Sequence, residues 1–385
     1  MLTLTLSLGF GLERTDEVDH FLIRLGKTVK ITASYNYCWY PTVHRFPTGE
    51  ILTTMRMSPD DTNPEGEFSA YCLSKDGGQT WGRRYTMGAG ANIDAAYSQA
   101  PLEDGIWVLG SGYLSLEPYP SSPKADFHTT LTEFSRAGMD VHQVRDASIH
   151  LSEPPQLEPV EIHATKATDA SHLASAPTAV PFGAIISGPR GEWLSTLYYV
   201  TKRDRRYRRL VLIRSFDHGH TWNEDGIIAA LQPDEKPWPW MGSEGPNEAG
   251  VVRLSDSRLF CIFRTGNGDY MGGAWSFDDG KTWSLPTSTG FKGVAPHLRL
   301  MSNGLLVCTF GRPGVTIMFS SNEGKSWTAI TPIVKDQSTG YSDVIEVEAG
   351  ELFVVFDSLP NGGDPVPGAS YEHIVYGTFV EVQER

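Results

Sequence analysis

The sequence is poor in cysteine, in long apolar runs and in positive charge, and each shortage excludes a class of protein. Only four cysteines occur among 385 residues, without a Cys-x-x-Cys pair, so we expect buried free thiols rather than disulfides or metal ligands. No apolar run approaches the roughly 20 residues of a membrane-spanning helix. The formal net charge of −14 argues against a nucleic acid or an anionic membrane as the main partner.

Sustained helical periodicity is also missing, which argues against all-helical and α/β folds. Instead, 39 glycines, 25 prolines and 11% aromatic residues favour many short strands joined by tight turns. His44, His297 and His373 lack the spacing of metal ligands, so we expect neither a metal nor another cofactor. Residues 1–11 are mildly apolar but lack a basic region and a cleavage site. They therefore predict a strand rather than a signal peptide, and the compartment stays undecided.

One eight-residue pattern, Ser-x-Asp/Asn-x-Gly-x-Thr/Ser-Trp, occurs four times, and we call each copy a box. The copies are residues 74–81, 215–222, 276–283 and 320–327. The Asp or Asn accepts backbone N–H bonds within a tight turn, the Gly supplies a positive φ, and the Trp leaves as an apolar anchor. Four copies in one chain indicate a repeat architecture.

The spacing of the last three boxes fits units of four strands with their turns. Strand-like segments between the boxes complete six such units, the second with a decayed box at 135–138. We therefore predict an all-β fold, a β-propeller of six blades with four antiparallel strands each, in which an N-terminal strand closes the ring. Residues 1–385 are expected to form this one domain, with an irregular insertion near 139–179.

Away from the boxes, three segments resemble the sialidases (neuraminidases), whose catalytic domain is a six-bladed propeller with Asp-box repeats. Glu248 opens a strand whose hairpin partner ends at Arg264, Arg312 precedes the strand of the last box, and Tyr341 follows that box. The resemblance implies that Tyr341 is the nucleophile, that Glu248 assists it, and that Arg264 and Arg312 bind a sugar carboxylate. Boxes of this kind also occur in non-catalytic propellers and lie away from the active site.

Physical chemistry supports this grouping. A tyrosine hydroxyl with a pKa near 10 is a poor nucleophile alone, but a neighbouring carboxylate can take its proton. Nearby guanidinium groups favour the phenolate and offer planar donors to a carboxylate. Strand starts line the centre of a propeller, so residues from different blades can meet there.

The first predicted blade departs from the sialidase pattern, which has an Arg two residues before a Pro. That Pro is Pro41 here, and the position of the Arg holds Trp39. Trp39 either offers an aromatic face to a sugar ring or packs in the core of its blade. Arg45 lies too close to the following turn to replace the missing Arg. A uronic acid or another sugar acid therefore fits this sequence as well as sialic acid does.

Two further acidic positions follow from the resemblance. The family's acid/base Asp lies in the loop before the first box, where Asp61 is the best candidate and Asp60 the next; Glu65 and Glu67 share that loop. A late acidic residue braces the first Arg in the family, and Asp357 stands at a comparable strand end. Asp357 is expected either to face the sugar or to bind a neighbouring backbone group.

The sequence thus predicts an exo-glycosidase that hydrolyses a terminal carboxylated sugar from a glycan, without nucleic-acid or membrane partners. A polysaccharide lyase acting on a uronate and a non-catalytic carbohydrate-binding propeller remain alternatives. The basic run 202–209 predicts a solvated loop, in preference to an anion site. Trp238 and Trp240, shortly before Glu248, predict either the wall of a sugar subsite or a cover of the blade core.

Overall fold

The chain is all-β throughout the residues that its computed structural model describes. These residues are 15–18, 21–35, 37–58, 68–86, 99–102, 105–109, 125–135, 142–153, 179–201, 207–232, 235–335, 338–358 and 372–385. Since this part of the chain forms no helix, it includes no helix that could cross a membrane.

Twenty-five strands, β1–β25, follow one another along the described chain. The first ten are Thr15–Val18, Phe21–Tyr35, Tyr37–Arg45, Ile51–Ser58, Phe68–Ser74, Tyr85–Thr86, Gln99–Leu102, Gly105–Leu109, Ala125–Ser135 and His142–Leu151. Strands β11–β18 are Ala179–Ser187, Trp193–Tyr199, Arg209–Ser215, Thr221–Ala229, Asn247–Arg253, Leu259–Arg264, Tyr270–Ser276 and Thr287–Lys292. Strands β19–β25 are Val294–Leu300, Leu306–Gly311, Val315–Ser320, Thr328–Val334, Ser342–Glu348, Glu351–Ser358 and Glu372–Glu384.

The strands form a β-propeller in which four antiparallel strands are the usual blade. Three sheets have the simple orders β3-β4-β5-β6, β15-β16-β17-β18 and β19-β20-β21-β22. A fourth has the order β1-β2-β25-β24-β23, and the fifth is a closed sheet of eight strands, β10-β14-β13-β12-β11-β7-β8-β9. Alternating short strands and tight turns therefore produce the predicted fold class.

The prediction of six separate blades is wrong, because two predicted units share the eight-stranded sheet and the described strands form five sheets. Strands β7–β10 and β11–β14 join along two parallel contacts. Ala184 of β11 pairs with Gln99 of β7, and Ser148 of β10 pairs with Thr221 of β14. At these contacts, backbone groups of the edge strands, which two separate blades would leave unpaired, are hydrogen-bonded to each other. One sheet therefore continues through both units.

An N-terminal strand closes the ring, as the sequence predicts. Strand β2 pairs antiparallel with β25 from Phe21 opposite Glu384 to Tyr35 opposite Glu372. The two strands are also tied by side chains, since the hydroxyls of Thr28 and Thr378 lie 2.7 Å apart. One sheet therefore holds segments from both ends of the described chain.

The boxes form the predicted turns. In the box at 276–283, Ser276 Oγ accepts the Gly280 N–H at 2.8 Å and Asp278 Oδ1 accepts the Thr282 N–H at 2.8 Å. Trp283 Nε1 donates to the Gly280 carbonyl at 2.9 Å, and Gly280 has a φ of 93°. The same Ser and Asp or Asn bonds occur in the other three boxes.

The box glycines also contact the neighbouring sheet. A Cβ at Gly280 would lie 2.2 Å from Leu212 Cδ2, and one at Gly324 would lie 2.5 Å from Phe260 Cε1. Leu212 and Phe260 are fully buried, so a larger box residue would displace core side chains. Each of these two glycines therefore serves the packing between sheets as well as its own turn.

Part of the stretch 139–179 is regular, which corrects the predicted irregular insertion. Strand β10 occupies His142–Leu151 and pairs with β9 over its whole length. Ala147, Ile149 and Leu151 face the core, and this alternation is typical of a half-buried strand. Residues 154–178 lie outside the described part.

Candidate active site

A buried hydrogen bond joins Tyr341 to Glu248. The Tyr341 hydroxyl donates to Glu248 Oε1 at 2.9 Å, although the two residues are 93 positions apart in sequence. They are 6% and 8% exposed. Glu248 lies at the start of β15 and Tyr341 directly precedes β23, so two different sheets supply the pair. The fold thus brings together the two residues that the sequence predicts as nucleophile and base.

The backbone near this pair is irregular. Glu248 has a φ of 32° and lies at a register shift of β15, and Tyr40 has a φ of 51° at a register shift of β3. Arg312 has a φ of 61°. A bulge bends a strand and redirects its side chains, and left-handed backbone at non-glycine residues is concentrated at functional sites. Bulges therefore bring Glu248 and Tyr40 to the side of Tyr341.

Arg264 binds the other oxygen of Glu248. Its Nη1 donates to Glu248 Oε2 at 2.8 Å, its Nη2 donates to Glu244 Oε1 at 2.8 Å, and its Nε donates to the Gly266 carbonyl at 3.1 Å. Glu244 in turn accepts from Arg208 Nη1 at 2.9 Å. Arg208, Glu244, Arg264, Glu248 and Tyr341 thus form one continuous chain of hydrogen bonds, which we call the charge chain.

Arg312 lies on the other side of Tyr341. Its guanidinium carbon is 5.8 Å from the centre of the Tyr341 ring. Nε donates to the Thr339 carbonyl at 3.0 Å and Nη1 donates to Asn267 Oδ1 at 2.5 Å. The side chain is half-buried, and no carboxylate among the described residues pairs with it. Arg312 is therefore a cation whose charge remains open to a ligand.

Burial raises the pKa of the Tyr341 hydroxyl well above its usual value, and the negative charge of Glu248 raises it further. Arg264 and Arg312 oppose this shift without cancelling it. The resting side chain is therefore the neutral phenol. The pKa of Glu244 is lowered despite its burial, because the guanidinium groups of Arg264 and Arg208 favour its ionised form.

Tyr40 is a site residue that the sequence reasoning missed. Its ring packs edge-on against Tyr341, with the ring centres 4.2 Å apart. Its position directly before Pro41, next to Trp39, is the signal in the sequence that marks it. The backbone of Trp39 pairs with Arg56, whereas its side chain lies outside the described part, as do Asp60, Asp61, Glu65 and Glu67.

Asp357 is buried and contacts other protein groups, as one of its two expected roles requires. It is 0% exposed and accepts hydrogen bonds from Ser338 Oγ at 3.1 Å and from the Thr339 N–H at 2.9 Å. His373 Nδ1 accepts the Cys38 N–H at 2.9 Å, so Nε2 is the protonated nitrogen that donates to Asp357 at 2.8 Å. These contacts agree with the expected binding of a neighbouring backbone group and fix the segment before Tyr341, whereas substrate binding by Asp357 stays a prediction.

Two basic side chains of the run 202–209 are also not solvated, contrary to the prediction. The side chain of Arg208 is 13% exposed and bound to Glu244. That of Arg209 is 13% exposed and bound to Glu153 and Glu224. Residues 202–206 lie outside the described part. Ion pairing with carboxylates distant in sequence withdraws these two arginines from solvent.

Trp238 and Trp240 stack on each other beside the site, with ring centres 5.4 Å apart and an angle of 18° between the planes. Both pack against the core cluster that includes Tyr341, and both remain partly exposed. A Cβ at Gly272 would lie 2.8 Å from Trp240, so this glycine makes room for the ring. Among the described residues, no group of three or more His, Cys, Asp or Glu side chains could hold a metal ion.

Fold and site together define a β-propeller with a buried tyrosine–carboxylate pair flanked by arginines. Residues 129–354, more than half of the chain, match the BNR repeat-like domain, and the chain belongs to that family. No curated protein matches it in sequence.

Solved structures resemble the chain over most of its length. A protein of unknown function from Dyadobacter fermentans is 20% identical with a TM-score of 0.67, covering 95% of this chain and 100% of that one. The Hadza microbial sialidase Hz136 is 16% identical with a TM-score of 0.57, covering 91% of this chain and 66% of its own. The Penicillium chrysogenum α-L-arabinanase complexed with arabinobiose is 14% identical with a TM-score of 0.57, covering 93% and 99%. At these identities the likeness is one of fold.

Proposed function

We propose that the protein is a glycoside hydrolase that removes a terminal carboxylated sugar from a glycan. The observation that carries the proposal is the 2.9 Å hydrogen bond from the Tyr341 hydroxyl to Glu248, with Arg264 and Arg312 beside it. Membership of the BNR repeat-like family and the presence of glycosidases among the similar folds are consistent with it. The Arg312 guanidinium supplies positive charge for an acidic sugar.

In the proposed reaction, Tyr341 attacks the anomeric carbon. As its oxygen bonds to that carbon, its proton passes to Glu248 and the glycosidic C–O bond breaks. An acid protonates the leaving oxygen, and the sequence predicts Asp61 for this role. Water then displaces the tyrosine oxygen from the sugar and gives one proton to the carboxylate of that acid, keeping its other proton as the new sugar hydroxyl. Glu248 returns the proton that it took to the departing oxygen of Tyr341. Because Tyr341 rests as a neutral phenol, Glu248 acts as a general base rather than as a counter-ion to a phenolate.

The direct test measures release of a fluorescent aglycone from aryl glycosides of N-acetylneuraminic, glucuronic and galacturonic acid. Tyr341→Phe and Glu248→Gln should each lower kcat by at least about a hundredfold on the acid that is cleaved. Tyr270→Phe, at a 40% exposed tyrosine of β17, is the matched control and should leave kcat unchanged. Full turnover by Tyr341→Phe would refute the assignment.

The same assay separates the alternatives. A lyase would give an unsaturated uronate with ultraviolet absorbance, which hydrolysis does not produce. Binding of an acidic sugar without release of any product would instead indicate a carbohydrate-binding propeller.

A further inference from the structure

The two site arginines differ in what already binds them. Each of the three nitrogens of the Arg264 guanidinium donates a hydrogen bond to the protein, two of them to the carboxylates Glu248 and Glu244. Its side chain is 9% exposed. Among the described residues, Nη2 of Arg312 has no hydrogen-bond partner, since this side chain donates only from Nε to Thr339 and from Nη1 to Asn267. The protein thus accepts hydrogen bonds from all three guanidinium nitrogens of Arg264, whereas Arg312 keeps one nitrogen for a ligand.

The charges of the charge chain also cancel. Arg208 and Arg264 carry two positive charges, and Glu244 and Glu248 carry two negative charges, with ion-pair distances of 2.8–2.9 Å. A substrate carboxylate that approached Arg264 would be a third carboxylate on one guanidinium and would meet repulsion from the two already there. At Arg312 it would meet a cation without a carboxylate partner in the described part of the chain.

We propose that Glu244 is a positioning residue that withdraws Arg264 from substrate binding, so that Arg264 holds Glu248 and Arg312 receives the sugar carboxylate. This rests on the proposed function, because it assumes a carboxylated sugar. Glu244 occupies Nη2, the guanidinium edge that Glu248 leaves open. It shares the charge of Arg264, so Glu248 is not its sole counter-ion and remains able to accept the Tyr341 proton.

The proposal predicts that removing Glu244 strengthens the binding of acids. The test measures affinities in a Tyr341→Phe background, so that the result does not depend on whether Tyr341 is the nucleophile. The probes are two acid–amide pairs: D-glucuronate with D-glucuronamide, and N-acetylneuraminate with its amide. In Glu244→Gln, the preference for the acid over its amide should rise by about tenfold, because Arg264 gains an open charged donor.

The matched control is Asp269→Asn. The Asp269 carboxylate lies close to Gly266, since a Cβ there would come within 2.1 Å of its Oδ2, and it pairs with no cation among the described residues. Its removal deletes one negative charge from the same region without freeing Arg264, so the preference should stay within about twofold of the parent. Glu244→Asp keeps the negative charge but places the carboxylate further from Arg264. It should raise the preference for the acid by a smaller factor, and it provides a test even if Glu244→Gln does not fold.

Turnover gives a second readout with Tyr341 intact. Glu244→Gln should lower kcat while tightening acid binding, because Arg264 then draws on Glu248 alone; a merely structural defect would weaken both. An unchanged or reduced preference in both Glu244 variants would overturn the proposal. An equal rise in Asp269→Asn, or failure of the parent to prefer either acid, would also overturn it. Retained turnover in Tyr341→Phe would refute the proposed nucleophile but leave this comparison valid.

Discussion

At the scale of single residues, the buried carboxylate of Asp343 is stabilised by hydrogen bonding and by neighbouring basic side chains. Asp343 is 3% exposed, accepts the Val43 N–H at 3.1 Å and lies 3.3 Å from His297 Nδ1. Burial alone would raise the pKa of this carboxyl, but His297 and Arg299 lower it overall. His44 in the same cluster is 2% exposed, and its Nε2 has no hydrogen-bond partner in the part of the chain that the structure describes. The native structure therefore requires a neutral His44.

His44 should make the protein sensitive to acid. Burial lowers its pKa from 6.5 to about 3, so the stability that it contributes is complete above pH 6.5 and is lost progressively as the pH falls towards 3. Between pH 7 and pH 5 the protein should lose about 2 kcal/mol of unfolding free energy through this group. Urea unfolding at both pH values, compared with His44→Gln, checks this; an equal loss in the variant would contradict it.

At the scale of strands, glycines let the first strands of neighbouring units approach backbone to backbone. A Cβ at Gly183 of β11 would lie 2.3 Å from the Ala249 carbonyl oxygen of β15. A Cβ at Gly250 of β15 would lie 2.7 Å from the Pro296 carbonyl oxygen of β19. A backbone cannot yield as a side chain does, so these strands stay close only without a Cβ. This close approach fixes β15, and with it Glu248.

Gly250→Ala should separate β15 from β19. We expect a loss of about 1–3 kcal/mol in unfolding free energy, as for other overpacked cores, together with a lower kcat because Glu248 moves away from Tyr341. The control is Gly273→Ala in β17, where the nearest atoms to a Cβ are side-chain carbons at 3.6 Å. That change should be neutral or slightly stabilising. Similar destabilisation of both variants in urea unfolding would argue against the strand-contact explanation.

At the scale of the whole molecule, one sheet joins distant parts of the chain. Strand β2 lies between β1 and β25, and β25 continues through β24 to β23, directly after Tyr341. The Thr28 and Thr378 hydroxyls meet across this seam although the residues are 350 positions apart. Propeller closure therefore depends on a pairing that can form only after nearly the whole chain is in place.

A disulfide across this seam should stabilise the molecule. Thr28 and Thr378 are direct partners in the ladder, so the double variant Thr28→Cys/Thr378→Cys places two thiols opposite each other. The oxidised form should gain about 3 kcal/mol over the reduced form, because a very long loop is closed in the unfolded chain. The four native cysteines are buried and unpaired. Thermal unfolding with and without reductant, with each single variant as control, measures the gain; an unchanged Tm would contradict it.

The turns and the fold class could be predicted from the sequence because they depend on local interactions. The turn bonds of the box at Ser276 involve residues at most four positions apart, so the pattern itself specifies them. The repeat then predicted the propeller, and the resemblance to sialidases singled out Tyr341, Glu248, Arg264 and Arg312, which the fold brings to one place. Only their roles remain proposals.

Long-range contacts decided the rest. Glu244 and Arg208 joined the site because two loops meet, and no local pattern distinguishes them from solvated charges. A bulge brought Tyr40 to Tyr341, and a buried histidine turned Asp357 inward. The parallel contacts that merged two units into one sheet likewise join strands distant in sequence. The sequence alone determined the turns and the fold class, because these depend on neighbours along the chain. Only the tertiary structure decided which charged side chains form ion pairs, because that pairing depends on how the sheets and loops are placed relative to one another.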